Sequence, residues 1–134
     1  MNGTNILKLF TTGEQIYDRV RTWDLSKIKE YVVSKGLCTD SEIDAIEAEY
    51  KRYLAICFTF PEQAFPTPAK IDILWHQHIL FTQDYADMCE ITGGRFLHHF
   101  PFSDDKMFSL LDNQLLKQKY VDMFGEKPNS LWDC

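Results

Sequence analysis

The sequence of 134 residues lacks the features that mark secreted and membrane proteins. No apolar run approaches the roughly 20 residues that a transmembrane helix needs. The first residues also lack the basic segment and following apolar run of a signal peptide. The cysteines are irregularly spaced and form no Cys-x-x-Cys pair: Cys38, Cys57, Cys89 and Cys134. Because a disulfide scaffold of this length would be denser in cysteine, we expect reduced thiols, no membrane segment and a cytoplasmic protein.

Familiar catalytic motifs and positive charge are also scarce. The chain has no glycine-rich phosphate loop, no Gly-x-Ser-x-Gly elbow and no His-Glu-x-x-His helix. Its 14 lysines and arginines face 20 aspartates and glutamates, which gives a net charge of −6. An acidic surface repels phosphate backbones, so the charge argues against nucleic-acid binding and suits a protein partner with a basic surface.

The apolar residues predict an all-α fold. A hydrophobic fraction of 45% is enough for one core, and we expect a single helical domain over residues 1–134, with residues 126–134 as a C-terminal arm. Apolar positions recur at helical spacing, and no part of the chain alternates long enough to indicate a strand. A bundle of five to six helices is therefore predicted. Its clearest apolar stripe comprises Ile43, Ile46, Tyr50, Tyr53, Leu54 and Cys57.

Capping residues predict where the earlier helices begin. The first helix is expected to start within residues 11–14, and Asp24 is a natural N-cap for the second. The run from Thr39 to Glu42 reads as a capping box, in which each side chain bonds the backbone of the other. Thr67-Pro68 opens the central helix with a hydroxyl cap and a proline in the first turn.

Helix stops and a second start are predicted further along the chain. Thr82-Gln83-Asp84 could recap the central helix, so the helix either continues through this point or kinks or restarts there, and Gly93-Gly94 ends it. An extended aromatic and histidine segment, residues 95–102, is then expected before Ser103-Asp104-Asp105 caps the last helix. Gly125 stops that helix.

All four histidines lie in one short window, which also contains a cysteine and an aspartate. Imidazole, thiolate and carboxylate are the groups that bind zinc in proteins. The window therefore predicts a zinc-type site, and its candidate metal ligands are Asp72, His76, His78, Cys89, His98 and His99.

Helix geometry limits how these ligands could combine. His76 and His78 lie about 200° apart on a straight helix, so they point in opposite directions. Asp72 and His76 are one turn apart, a spacing that allows a carboxylate–imidazole hydrogen bond. In an extended segment His98 would join the Phe96 side and His99 would face away, and Gly93-Gly94 lets one of them return to the central helix.

The same residues have a plainer interpretation. A histidine on an apolar helix face is usually a hydrogen-bonded core residue, and this is the more common situation for His78. Cys57 and Cys89 fit the core as small apolar residues. An Asp72–His76 pair would then be structural, so the sequence leaves both interpretations open.

The central helix also carries a family resemblance. The run from Ile71 to Leu80, with its Trp-His-x-His core, then Tyr85, Cys89, Gly94 and His98-His99, resembles the glycine-rich domain-containing protein-like family. The match covers a quarter to a third of the chain, and the glycine-rich tail that names the family is absent. The resemblance implies an important constellation of Asp72, Trp75, His76, His78 and His98 without supplying a reaction.

Three functions are compatible with these patterns. The first is a small binding or regulatory module with a protein partner, in which a zinc-type site organises the histidine segment against the central helix. The second is a metal-dependent enzyme of the hydrolase type, with Asp72–His76 as base or ligand. The third is an acidic protein that covers a basic partner surface without metal.

Overall fold

Helices supply all the regular structure in residues 13–99 and 110–133, which are the residues that the computed structural model of the protein describes. Six α-helices and one 3-10 turn follow one another, and no strand occurs among these residues, so the predicted all-α fold is confirmed. The elements are α1 (Gly13–Val20), α2 (Ser26–Ser34), α3 (Ile43–Thr59), α4 (Ala69–Leu80), α5 (Thr82–Gly93), α6 (Leu110–Phe124) and the 3-10 helix Ser130–Trp132.

Most of the predicted helix boundaries are confirmed. The Asp24 carboxylate accepts the backbone N–H of Ser26 at 2.9 Å as α2 begins. At the start of α3 the N–H of Thr39 donates to Glu42 Oε1 at 2.8 Å, which is one half of the predicted capping box. Gly94 ends α5 with a φ of +70°, a left-handed conformation that glycine adopts without steric cost.

Two capping predictions were wrong. The Thr39 hydroxyl contacts the hydroxyl of Ser41 at 3.0 Å instead of capping the backbone. At the start of α4 no side chain caps the helix, and the Thr67 hydroxyl lies 3.0 Å from the hydroxyl of Tyr53. The reason is tertiary: the buried phenol of Tyr53 needs hydrogen-bond partners, and Thr67 is within its reach.

Helix α3 is the centre of the fold. Every residue of its predicted apolar stripe is buried, and the helix packs against α1, α4 and α6. Helix α2 packs on α4, while α1 also contacts α5. This arrangement places α4, which carries two of the histidines, between α2, α3 and α5, so one face of α4 is buried and the other reaches solvent.

The residues after α6 return to the core. Trp132 in the 3-10 helix is fully buried, and its indole N–H donates to the Glu49 carboxylate at 3.1 Å. The side chains of Tyr120 and Asn129 donate to the same carboxylate. The last turns of the chain therefore close over α3.

Some predictions concern residues that are not described. These are the start of the first helix at residues 11–12, the segment from residue 100 to 102, the Ser103-Asp104-Asp105 cap and Cys134. Within the described ranges, no helix is long and apolar enough to cross a membrane.

Candidate functional site

The histidines of α4 lie on opposite sides of the helix, as predicted. His76 is exposed, whereas His78 is fully buried. Trp75 is buried beside His78, and Asp72 is partly exposed one turn before His76. The two imidazoles therefore belong to two different environments, one inside the core and one at the surface.

His78 is held by hydrogen bonds at both ring nitrogens. Its Nδ1 lies 2.7 Å from the hydroxyl of Tyr50, and its Nε2 lies 2.7 Å from Oδ2 of Asp84. Since an ionised carboxylate only accepts, Nε2–H donates to Asp84 and Nδ1 accepts the Tyr50 O–H. Burial lowers the pKa of His78 and favours this neutral form, against the opposing effect of Asp84. The geometry matches that of a satisfied core histidine.

Sequence inspection did not identify the partners of His78. Asp84 follows it by six residues across the boundary between α4 and α5, and it also accepts the indole N–H of Trp23 at 3.0 Å. Tyr50 lies on another helix. The break near Thr82 is confirmed, because α4 ends at Leu80 and α5 starts at Thr82. This break was the one sequence feature that indicated that Asp84 could turn toward His78.

A second chain of hydrogen bonds fixes the segment after α5. The indole N–H of Trp75 donates to the Tyr85 hydroxyl at 2.9 Å, and that hydroxyl donates to the Leu97 carbonyl at 2.6 Å. Burial raises the pKa of Tyr85, so its phenol keeps the proton that it donates. As predicted for a turn at Gly93-Gly94, the chain doubles back onto α4.

His99 ends this returning segment on the surface of α4. Its Nε2 lies 2.5 Å from Oδ1 of Asp72, and its ring stacks on the indole of Trp75 with 4.0 Å between centroids and 13° between planes. The spacing of Asp72 and His76 allowed a hydrogen bond between them, and the bond that Asp72 makes is to His99. Stacking on Trp75 leaves the His99 side chain only 11% exposed and fixes its ring at the carboxylate, whereas exposed His76 has no such support.

His98 and Cys89 occupy separate positions. His98 is exposed and its ring lies 4.9 Å from that of Phe96, which confirms the expected grouping of these two residues. Phe96 itself is 46% exposed. Cys89 is buried in the core, and burial raises the pKa of its thiol, a change that disfavours the thiolate a metal would need.

Of the six candidate ligands, the structure joins only Asp72 and His99 by a direct contact. His76 follows Asp72 by one helical turn, while His78, Cys89 and His98 lie elsewhere. Among the described residues, no three or more His, Cys, Asp or Glu side chains are placed to hold a metal ion. The zinc-type site stays a prediction, and its best-placed members are Asp72 and His99.

Comparison with known proteins identifies a family but supplies no related structure. A family model described as UCP032817-like matches residues 17–123, a range that contains all four histidines. The resemblance to the glycine-rich domain-containing protein-like family was wrong, because the family that matches is a different one. No curated protein and no solved structure matches the chain.

Proposed function

The chain belongs to the UCP032817-like family, and from that premise we propose that its helical domain is a non-enzymatic binding module whose contact surface is the segment Arg95–His99. One observation carries the proposal. The segment has no regular secondary structure, yet several contacts attach it to the core while Phe96 and His98 remain exposed.

Three residues of the segment supply these attachments, and the first of them, Arg95, donates to the carbonyl of Cys57 at 3.2 Å. The Tyr85 hydroxyl bonds the carbonyl of Leu97, Asp72 bonds His99, and the ring of His99 stacks on Trp75. Fixing each residue of an irregular backbone costs about 1–2 kcal/mol of conformational entropy, which such contacts offset. A segment held in this way is already ordered before a partner arrives, so less entropy is lost on binding.

The exposed side chains suit a protein partner. Phe96 packs edge-on against Tyr85 and His98, and nearly half of its surface is free to enter an apolar pocket. Aromatic residues presented on a rigid scaffold are the usual anchors of protein interfaces. The net charge of −6 favours a partner with a basic surface. In this respect the proposed partner is the same as in the alternative of an acidic protein that covers a basic surface.

The hydrolase alternative has less support. It depended on an Asp72–His76 pair, and Asp72 bonds His99 instead. No described serine, threonine or cysteine is hydrogen-bonded to His99. Its Nε2 is bonded to Asp72. A metal-dependent hydrolase needs a metal centre, and no group of three or more His, Cys, Asp or Glu side chains is placed to hold an ion among the described residues.

Affinity capture with matched variants tests the binding function. Wild-type protein, a Phe96→Ala/His98→Ala variant and a Leu111→Ala control are immobilised and exposed to extract of the source organism, and bound proteins are quantified by mass spectrometry. Leu111 is 73% exposed on α6 and controls for the loss of any large apolar side chain.

We expect defined partners that are retained by wild type and by the control but lost by the double variant. Circular dichroism establishes that all three proteins are folded. If the double variant retains the same proteins as wild type, the segment is not the contact surface and the proposal is wrong.

A further inference from the structure

We propose that the partner of the segment Arg95–His99 is an extended peptide, which pairs with the free backbone edge of the segment at Phe96 and His98. The inference rests on the proposed binding function and names the form in which the partner binds. Peptides that bind along a backbone edge are held by main-chain hydrogen bonds, while their alternate side chains give specificity.

Burial alternates along the end of the segment. Phe96 and His98 are exposed, whereas Leu97 is buried and the side chain of His99 is only 11% exposed. Successive side chains of an extended chain point to opposite faces, so the alternation indicates an extended backbone over residues 96–99. No described residue other than glycine has a positive φ, which agrees with an extended backbone here.

Both backbone groups of Leu97 are bonded to side chains of α5. Its carbonyl accepts the Tyr85 O–H at 2.6 Å, and its N–H donates to the sulfur of Cys89. In an extended chain the N–H and C=O of one residue point to the same edge, and those of its neighbours point to the other edge. Helix α5 therefore occupies the edge at Leu97, and the backbone groups of Phe96 and His98 point away from that helix.

This second edge carries unused donors and acceptors. The backbone N–H and C=O groups of Phe96 and His98 form no hydrogen bond with a described residue. A row of unpaired backbone groups on an extended chain is a template for pairing with another chain. A peptide that lies along this edge can bond these groups without displacing any contact of Leu97.

The free edge is held in place from both ends of the segment. Arg95 donates to the carbonyl of Cys57 at 3.2 Å, and the ring of His99 stacks on Trp75. Because the edge is already ordered, pairing with it costs less conformational entropy. The exposed ring of Phe96 favours an apolar residue at the facing position of the peptide, and the net charge of −6 favours basic residues elsewhere in it.

Amide hydrogen exchange of the free protein, followed by NMR for each residue, tests the geometry of the edge. We expect the Leu97 amide to be protected by its bond to Cys89, and the amides of Phe96 and His98 to exchange rapidly. Protection of the latter two amides in the free protein would mean that the chain itself covers the edge. Protection that grows with protein concentration would mean that a second copy covers it. Either result overturns the proposal.

The His98→Pro substitution tests the backbone contact, and His98→Ala is its matched control. Both remove the imidazole, but only His98→Pro removes the N–H, and proline is compatible with an extended segment. The probes are random linear peptides displayed on phage, selected on wild type, and those whose binding is lost in Phe96→Ala are synthesised. We expect His98→Pro to bind them about tenfold more weakly than His98→Ala, since a backbone hydrogen bond is lost. Circular dichroism and protection of the Leu97 amide show whether each variant keeps the fold and the segment in place.

The outcomes separate this inference from the proposed function. Equal affinities of His98→Pro and His98→Ala overturn the inference, as does a library that yields no peptide dependent on Phe96. In both cases the capture experiment still decides independently whether the segment is a contact surface. If capture shows that it is not, the proposed function is wrong and the inference is overturned with it.

Discussion

His78 illustrates how a single buried polar residue is accommodated in this core. It is fully buried, yet Tyr50 and Asp84 together satisfy both of its ring nitrogens. The same Asp84 oxygen accepts the indole N–H of Trp23, so one carboxylate links α4, α5 and the connection between α1 and α2. A polar group buried in this way stabilises the fold only while each partner is present.

Tyr50→Phe tests that dependence. The substitution removes only the hydroxyl, so Nδ1 of His78 is left buried without its 2.7 Å partner. We expect the free energy of unfolding to fall by about 1–3 kcal/mol, as measured by urea denaturation. Tyr31→Phe is the matched control, because Tyr31 is 40% exposed and should change stability little. Equal effects of the two substitutions would contradict the proposed role of the hydroxyl.

Cys57 should be chemically inert in the folded protein. It is buried, and burial raises the pKa of its thiol to about 12. The raised pKa keeps the thiol protonated near neutral pH, and the thiolate is the form that reacts. We expect iodoacetamide to modify Cys57 rapidly in urea and very slowly in native buffer, as followed by peptide mass spectrometry. Comparable rates in both conditions would show that the thiol is accessible.

At the scale of elements, the break between α4 and α5 determines which residues meet. Phe81 has a ψ of 71° and interrupts the helical path, and α5 then starts in a new direction. The interruption brings Asp84 to His78, and the turn at Gly94 returns the chain to α4. Without these two changes of direction, neither the His78 network nor the Asp72–His99 contact could form.

The start of α3 should contribute a pH-dependent part of stability. Hydrogen bonds from the Thr39 backbone and Lys70 lower the pKa of Glu42 from its ordinary 4.5. A lowered folded-state pKa gives stability that is present above about pH 4.5 and is lost as the pH falls through the folded value. The Glu42→Gln variant lacks this titrating carboxyl group. The difference in free energy of unfolding between wild type and the variant should therefore shrink as the pH falls.

Urea midpoints at about pH 6 and about pH 3 measure this effect. Asp40→Asn is the control for the loss of one nearby carboxylate. If the difference in urea midpoint between wild type and Glu42→Gln stays constant or widens in acid, the hydrogen bond between Thr39 and Glu42 does not make the stability pH-dependent as described.

At the scale of the whole molecule, the C-terminal turn completes the core. Trp132 packs against Tyr53 and Tyr120, and its N–H is one of the donors to buried Glu49. The contacts join the end of the chain to the middle of α3. Residues 130–132 are therefore part of the folded unit.

Trp132→Ala tests that conclusion. Removing a fully buried indole leaves a cavity and takes one donor from Glu49, and truncations of this size cost about 3–5 kcal/mol. Urea denaturation should show this loss, whereas Asp133→Ala should cost about 1 kcal/mol or less. The Asp133 side chain forms an exposed ion pair with Lys117 at 3.0 Å, and such pairs contribute little. A small effect of Trp132→Ala would mean that the terminal turn is dispensable.

The sequence by itself determined the helical class, the buried stripe of α3, the break at Thr82 and the stop at Gly94. Each of these depends on residues within a few positions of one another, since apolar periodicity and capping are local properties of the chain. The opposite directions of His76 and His78 were predictable for the same reason.

Only the tertiary structure decided which side chains became partners. Tyr50 and His78 are 28 residues apart, and Asp72 and His99 are 27 apart. The spacing of Asp72 and His76 allowed a hydrogen bond, but Asp72 bonds His99. The turn at Gly94 brings His99 back to α4, and stacking on Trp75 holds its ring there. Pairings of this kind depend on the directions in which whole helices pack, and those directions cannot be read from local sequence patterns.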